Sequence, residues 1–169
     1  MNIQTPEASP SDSLATSLSS VQVRWPRLAS NRQRLNQSQP HSSVDPFCVP
    51  AVFVIDDDRE MRESLELLLL AETFQVETYE SADAFWAVFH PDRRGCVILD
   101  LRMPGMDGLE LLERLAEHDH GLSVIVVSAS VDQSEKRRAK DLGAIDFFPK
   151  PYDTRKLLAA IRQQLSHWI

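Results

Sequence analysis

Short apolar runs rich in β-branched residues most constrain the fold that this chain can adopt. Three runs are continuously apolar and a fourth is weaker, and each is only four or five residues long. Uninterrupted runs of this length are typical of parallel strands that helices cover on both faces. The segment 75–79 alternates polar and apolar residues instead, which predicts an edge strand. The four runs are Ala51–Ile55, Cys96–Leu99, Ser123–Val127 and Ala144–Phe148.

Five segments with helical features lie between and after these runs. Asp58, Ser81, Asp107 and Asp153 are predicted N-caps, because their side chains can accept a hydrogen bond from the first helical turn. The segment 132–142 is mostly charged, and Gly143 suits its end. The last helix carries one apolar stripe, which consists of Leu157, Leu158, Ile161, Leu165 and Trp168.

Five strands that alternate with five helices predict an α/β fold, with a parallel sheet wrapped by helices on both faces. This domain is expected to span residues 50–169. Residues 1–49 are rich in Ser, Pro and Gln and show no sustained periodicity, which predicts a disordered tail. The last predicted helix reaches the end of the sequence, so no second domain is expected after it.

Composition limits the partners and the compartment. The net charge of −7 argues against direct binding of nucleic acid, because a phosphate backbone needs a basic face. No apolar run approaches the roughly 20 residues of a membrane helix, and the N-terminus lacks the pattern of a secretory signal. Cys48 and Cys96 lie far apart without a paired motif. We therefore expect a reduced, cytoplasmic protein that is not attached to a membrane.

Chemically competent side chains follow the core strands. Asp56 and Asp57 follow the first run, Asp100 the second, Ser128 the third, and Lys150 comes shortly after the fourth. The carboxyl ends of parallel strands lie at one edge of a sheet, where ligands bind in open α/β folds. Converging carboxylates favour a hard cation such as Mg2+, and an ammonium and a hydroxyl can hold phosphoryl oxygens. A carboxylate can also be the nucleophile, so the pattern predicts phosphoryl transfer onto an aspartate.

Each of these features also has a simpler explanation. An acidic triplet at 56–58 is commonly a helix cap with solvated neighbours, and Asp100 before a Pro-Gly loop can form a turn. Lys150 between two prolines is commonly part of a rigid turn. The coincidence of such groups after four separate core strands favours the functional interpretation.

The chain resembles the receiver domain of two-component response regulators, near the FixJ-like branch. The resemblance covers about 120 residues in the order and spacing of the family. The matching stretches are Val54–Asp58, Leu99–Gly108, Val126–Ala129 and Asp146–Pro151.

The resemblance implies a role for each matched position. Asp100 would be both the phosphoacceptor and a Mg2+ ligand, and Asp57 would be a direct Mg2+ ligand, while Asp56 would act mainly through bound water. The backbone carbonyl of Arg102 would be the third protein ligand. Lys150 would pair with the acyl phosphate, and its bond to Pro151 would be cis. The sheet order would be 2-1-3-4-5, as in flavodoxin-like doubly wound folds.

Two further positions correspond to the switch of the family. Ser128, in place of the commoner Thr, would bond the phosphoryl group and move on activation. Phe147 stands where the family has a rotameric aromatic residue, although a simple core or rim role also fits it. Phe147 lacks a hydroxyl, so its switch would work by burial alone.

The expected function is that of a single-domain response regulator rather than an enzyme with a separate substrate. It would accept a phosphoryl group from a sensor histidine kinase or a histidine phosphotransfer protein and catalyse its own transfer and autodephosphorylation. It would then bind a downstream protein or pass the group along a relay; a homodimer formed on phosphorylation is a further option.

Three alternatives stay open at this stage. They are a receiver that serves only as an unphosphorylated interaction module, a transcriptional regulator that lost its DNA-binding output domain, and a haloacid-dehalogenase-like phosphatase. The last is disfavoured because Arg102 stands where such enzymes have a second Asp.

Overall fold

The computed structural model describes residues 49–129, 132–166 and 168. It contains one five-stranded parallel sheet in the order β2-β1-β3-β4-β5. The predicted fold class and strand order are therefore confirmed, and so is the edge position of β2. The tail predicted for residues 1–49 lies outside the described residues except for Val49, so its disorder and the domain boundaries stay predictions.

Strands and helices alternate along the whole described chain. The strands are β1 (Ala51–Ile55), β2 (Val76–Tyr79), β3 (Arg94–Leu99), β4 (Gly121–Ser128) and β5 (Ala144–Pro149). The helices are α1 (Arg59–Ala71), α2 (Ala82–Trp86), α3 (Gly108–Ala116), α4 (Gln133–Asp141) and α5 (Thr154–Leu165).

Side-chain caps begin the helices where the sequence predicts them. Asp58 accepts from the backbone amides of Glu60 and Met61, and Ser81 accepts from that of Ala84. Asp107 and Glu110 form a reciprocal capping box at the start of α3. Asp153 caps α5 in the same way as Asp58 caps α1. These caps fix the direction in which each helix leaves the edge of the sheet.

Two apolar layers enclose the sheet. Phe53 and Ile55 of β1 face the layer that α2, α3 and α4 cover, whereas Val52 and Val54 face the layer beneath α1 and α5. All four side chains are almost completely buried. This two-sided burial explains why the sequence of β1 is continuously apolar.

Several element boundaries differ from the predicted ones, and three of the differences are the largest. β3 and β4 begin two residues earlier than expected, because Arg94 pairs with Gly121 although neither is apolar. α5 ends at Leu165, so Trp168 lies beyond the helix and does not extend its buried stripe. The Trp168 ring is 37% exposed and stacks under the guanidinium of Arg94, at 4.7 Å. None of the helices in the described part of the chain is long and apolar enough to span a membrane.

Candidate functional site

The register of the two central strands brings the acidic residues together. Ile55 of β1 pairs with Leu99 of β3, so Asp56 and Asp100 leave the sheet side by side. The amide of Asp100 donates to the carbonyl of Ile55 at 2.9 Å, which extends the pairing by one residue. Both aspartates are buried, each with 7% exposure.

Asp57 completes a cluster of three carboxylates. One carboxylate oxygen from each of Asp56, Asp57 and Asp100 lies within 4.8 Å of the others, and Asp57 is the exposed member. The Asp58 amide donates to Asp56 Oδ1 at 3.0 Å, and the Arg102 amide donates to Asp100 Oδ1 at 3.1 Å. The two buried carboxylates are thus held in place by backbone amides that follow them in sequence.

Lys150 reaches this cluster from the end of β5. Its ammonium Nζ lies 2.6 Å from Asp56 Oδ2 and 2.6 Å from Asp100 Oδ2. Its amide donates to the carbonyl of Ser128 at 2.9 Å, which ties the end of β5 to the end of β4. The peptide bond from Lys150 to Pro151 is cis, as expected from the resemblance.

Burial and pairing act in opposite directions on the charges of this cluster. Burial raises the pKa of Asp56, and this effect outweighs the lowering by hydrogen bonds from Lys150 and Asp58. Burial alone would lower the pKa of Lys150, but its hydrogen bonds to Asp100 and Asp56 raise that pKa overall. Lys150 therefore remains protonated at neutral pH. A divalent cation beside Asp56 would favour its ionised form.

Ser128, Phe147 and Arg102 occupy different surroundings. Ser128 ends β4 beside the cluster and is completely buried. Phe147 is half-buried on the α4 side of β5, with the Lys136 ammonium 5.3 Å from its ring centre. The side chain of Arg102 extends away from the carboxylates to Glu135 of α4, at 2.7 Å. Their predicted roles as switch residues and as a carbonyl ligand stay predictions.

Close packing fixes the backbone that carries Asp100. A Cβ atom at Gly108 would lie 2.4 Å from the carbonyl oxygen of Asp100 and 2.7 Å from the Cα of Leu101. The Gly108 amide donates to the carbonyl of Leu101 at 3.0 Å. Glycine at this position therefore lets α3 begin directly against the strand end.

Two residues near the site are not apparent from sequence reasoning. Arg62 of α1 donates from Nη1 to the carbonyl of Asp56 at 2.7 Å. Tyr152 is half-buried close enough to Lys150 and Asp56 for their charges to act on it, and burial raises its pKa. Arg62 lies one helical turn after the cap Asp58, and that spacing is the signal that could have placed it near the strand end.

The donor set fits a hard divalent cation. Three carboxylates and one ammonium leave two negative charges in a largely buried cluster. Carboxylate oxygens are the ligands that Mg2+ prefers, and Mg2+ keeps several waters when it binds to a few of them. Asp57 is exposed and can bind an ion that arrives from solvent. The expected acidic site is thus present, although its preference among cations stays a prediction.

The fold and the site together define a doubly wound α/β protein with a cluster of carboxylates, able to hold a cation, at the carboxyl edge of its sheet. Residues 52–162 match the family model of the response regulator receiver domain. The chain therefore belongs to the response regulator receiver domain family.

Several proteins of the FixJ-like branch are similar to this chain. The transcriptional regulatory protein FixJ of Azorhizobium caulinodans is 43% identical over 114 residues, which cover 68% of this chain and 54% of FixJ. The structure of the response regulator StyR matches with a TM-score of 0.66 and 43% identity, over 70% of this chain and 60% of StyR. The FixJ-N structure matches with a TM-score of 0.64 and 36% identity, over 71% of this chain and 96% of that chain.

The predicted family and branch are thus confirmed. The chain spans about half the length of the curated relatives that it matches. What those whole proteins do therefore does not transfer directly to this chain.

Proposed function

We propose that Asp100 accepts a phosphoryl group from the phosphohistidine of a histidine kinase or a histidine phosphotransfer protein, in a reaction that depends on Mg2+. The observation that carries this proposal is the position of the Lys150 ammonium, 2.6 Å from both Asp56 and Asp100. A positive charge at this distance from Asp100 would lie beside a phosphoryl group attached to that residue, which supports the proposal. Membership of the receiver family supports the same chemistry.

The proposed reaction is a displacement at phosphorus. A carboxylate oxygen of Asp100 forms the new P–O bond as the P–N bond to the donor imidazole breaks, and the imidazole keeps the bonding electron pair. Lys150 supplies positive charge to the phosphoryl oxygens, and the buried Ser128 hydroxyl lies at the adjacent strand end, where it can donate to them.

The acidic cluster would hold the cation during this reaction. The groups that would bind Mg2+ are Asp56, Asp57, Asp100 and the backbone carbonyl of Arg102, and the ion would neutralise charge on the transferring group. The chain would then act on its own Asp100 and catalyse its own dephosphorylation, rather than turn over a separate substrate.

We propose that the phosphorylated chain binds a downstream protein or passes the phosphoryl group on to another protein. Homodimerisation on phosphorylation is a third proposed output. Another candidate output is control of DNA binding, which the similarity to FixJ and TdiR, both transcriptional regulatory proteins, favours. We also propose a cytoplasmic location, because the free thiol of Cys96 is buried and suits a reducing compartment.

Intact-protein mass spectrometry after incubation with Mg2+ and acetyl phosphate tests the proposal. We expect one phosphoryl adduct on the wild type and none on Asp100→Asn, because the amide is not a nucleophile for this reaction. The matched control is Asp119→Asn, which changes an exposed aspartate in the segment before β4. The adduct should be stable in acid and labile in base.

The proposal fails if the folded wild type gains no adduct, or if Asp100→Asn gains the same adduct as the wild type. The first result would favour an unphosphorylated interaction module. The second would place the phosphoryl group on another residue.

A further inference from the structure

The loop between β3 and α3, residues 101–107, orients the proposed phosphoacceptor. The Arg102 amide in this loop donates to Asp100 Oδ1 at 3.1 Å. The two ends of the loop are fixed by the bond from the Gly108 amide to the carbonyl of Leu101 and by the capping box at Asp107. Between these ends, the path of the loop backbone decides how the Arg102 amide lies relative to the carboxylate.

The second half of this loop is held by a side chain from another element. Asp83 of α2 accepts a hydrogen bond at Oδ2 from the Met106 amide, at 3.0 Å, across 23 residues of sequence. A Cβ atom at Gly105 would lie 2.8 Å from the same oxygen, so the carboxylate lies directly against the loop backbone. Gly105 also has a φ of +79°, a left-handed conformation that favours glycine.

Asp83 is itself carried by a well-fixed element. Ala82 and Phe85, which belong to the same helix α2, are completely buried. The Ser81 hydroxyl caps the helix by accepting from the Ala84 amide at 3.1 Å. The anchor for the loop thus comes from a helix that the core holds in place, although the Asp83 side chain is near the surface.

We propose that Asp83 is a positioning residue for phosphoryl transfer: it holds the loop in the shape that keeps the Arg102 amide bonded to Asp100. This inference rests on the proposed function, since it concerns the same site. Asp83 acts through the loop, by its hydrogen bond to the Met106 amide. Its carboxylate makes a charge-assisted hydrogen bond, which is stronger than a bond between two neutral groups.

Loss of the hydrogen bond from the Met106 amide to Asp83 should lower the rate of phosphoryl transfer. It should weaken the binding of a small phosphoryl donor less. Misplacement of a reacting group by about 1 Å can cost roughly 100-fold in rate, whereas donor binding depends less on the orientation of one carboxylate. A residue with only a structural role would lower the stability of the domain and leave the rate of the folded protein unchanged.

The test compares the wild type with Asp83→Ala, Asp83→Asn and the control Asp119→Ala. Two quantities are measured on each full-length chain: the rate of adduct formation against acetyl phosphate concentration with Mg2+ in excess, and amide hydrogen exchange at Arg102 and Met106 without Mg2+. The asparagine variant keeps a side-chain oxygen that can accept from Met106. It therefore separates the hydrogen bond from the charge.

We expect Asp83→Ala to lower the maximal rate by about 10-fold or more, with little change in the half-saturating donor concentration. The amides of Arg102 and Met106 should exchange faster in that variant. Asp83→Asn should recover most of both properties, and Asp119→Ala should match the wild type. If Asp83→Ala does not fold, Gly105→Ala displaces the same contact and should slow the reaction likewise.

Wild-type rates in folded Asp83→Ala, or unchanged exchange at Arg102, would overturn the positioning role alone. A wild type that gains no phosphoryl group would instead overturn the proposed function, and this role with it. The exchange measurement needs neither Mg2+ nor phosphorylation, so it reports on the loop in either case.

Discussion

Lys150 is the residue on which the electrostatics of the site depend most. Its ammonium bridges Asp56 and Asp100, and its side chain is only 17% exposed. Without it, two buried carboxylates at adjacent strand ends would repel each other in surroundings of low dielectric constant. The lysine thus stabilises the site before any cation or phosphoryl group arrives.

Replacement of this lysine should destabilise the metal-free domain. We expect Lys150→Met to lower the free energy of unfolding at pH 7 by about 1–3 kcal/mol, less than the 3–5 kcal/mol typical of a fully buried ion pair. The loss of stability is limited because the pKa of Asp56 rises further without the ammonium, so that Asp56 can take up a proton and repel Asp100 less. Urea unfolding with a chelator present measures the change.

The matched control is Lys156→Met, because Lys156 is an exposed lysine on α5. That variant should unfold at nearly the same urea concentration as the wild type. Equal stability of Lys150→Met and Lys156→Met would show that the bridge contributes nothing to the metal-free fold.

The sequence reveals residues of the site that follow strands, but not those that reach it from helices. Asp56, Asp100 and Lys150 are predictable because the alternation of strands and helices brings strand ends to one edge. Arg62 and Asp83 are not, because each makes its contact through a side chain whose direction depends on packing. The spacing from Asp58 places the half-buried Arg62 near the strand end, but nothing in the sequence indicates which atom its side chain, or that of the exposed Asp83, contacts.

At the scale of elements, α4 differs from the other helices in how it is attached. Ala139 is its one buried residue, and the element is otherwise strongly polar. Ion pairs from Arg102 to Glu135 and from Arg138 to Glu113 join it to neighbouring elements. Exposed ion pairs contribute little to stability and weaken with salt. The attachment of α4 is therefore the weakest among the longer helices.

Amide hydrogen exchange should show this difference directly. We expect the backbone amides of α4 to exchange faster than those of α3 and α5, which bury several leucines each. Addition of about 1 M NaCl, where the screening length is about 3 Å, should accelerate exchange in α4 more than in α3. Mass spectrometry of peptides or NMR measures both rates.

The comparison of α4 with α3 within one molecule is the internal control. Equal protection of the two helices, or an equal response to salt, would contradict the view that α4 is attached more weakly than α3 and partly through ion pairs that salt can screen.

Element identities followed from the sequence more reliably than element ends. The caps at Asp58 and Asp107 were predictable because capping depends on local chemistry. The early starts of β3 and β4 were not, since strand pairing continues past the apolar run to Arg94 and Gly121. Trp168 suited the helical spacing of α5, yet the helix ends before it.

At the scale of the whole molecule, a cation bound by the acidic cluster would increase the stability of the fold. Three carboxylates that repel one another in the folded state are farther apart in the unfolded chain. A cation that binds only the folded state raises the free energy of unfolding by mass action. The thermal stability of the domain should therefore depend on Mg2+.

We expect Mg2+ at 100 times its dissociation constant to add about 2.7 kcal/mol to the free energy of unfolding. Asp57→Asn should reduce this gain, because it removes one of the three carboxylates. The control is Asp58→Asn, which removes the same charge one residue later while asparagine still caps α1. Thermal unfolding over a range of Mg2+ concentrations measures the gain in each protein.

A gain that is the same in Asp57→Asn and in the wild type would place the cation elsewhere. Loss of the gain in both variants would indicate a general effect of charge rather than a defined ligand.

The register of β1 against β3 has a consequence for how such a domain can diversify. Ile55 pairs with Leu99, so the gap between Asp56 and Asp100 is set by the spacing of hydrogen-bonded strands, which is about 4.8 Å. This distance depends on main-chain geometry and not on the side chains of the outer helices. Mutations can therefore change the solvent-facing sides of α1 or α4, and any protein surface that these sides could bind, while the distance between the two aspartates stays the same.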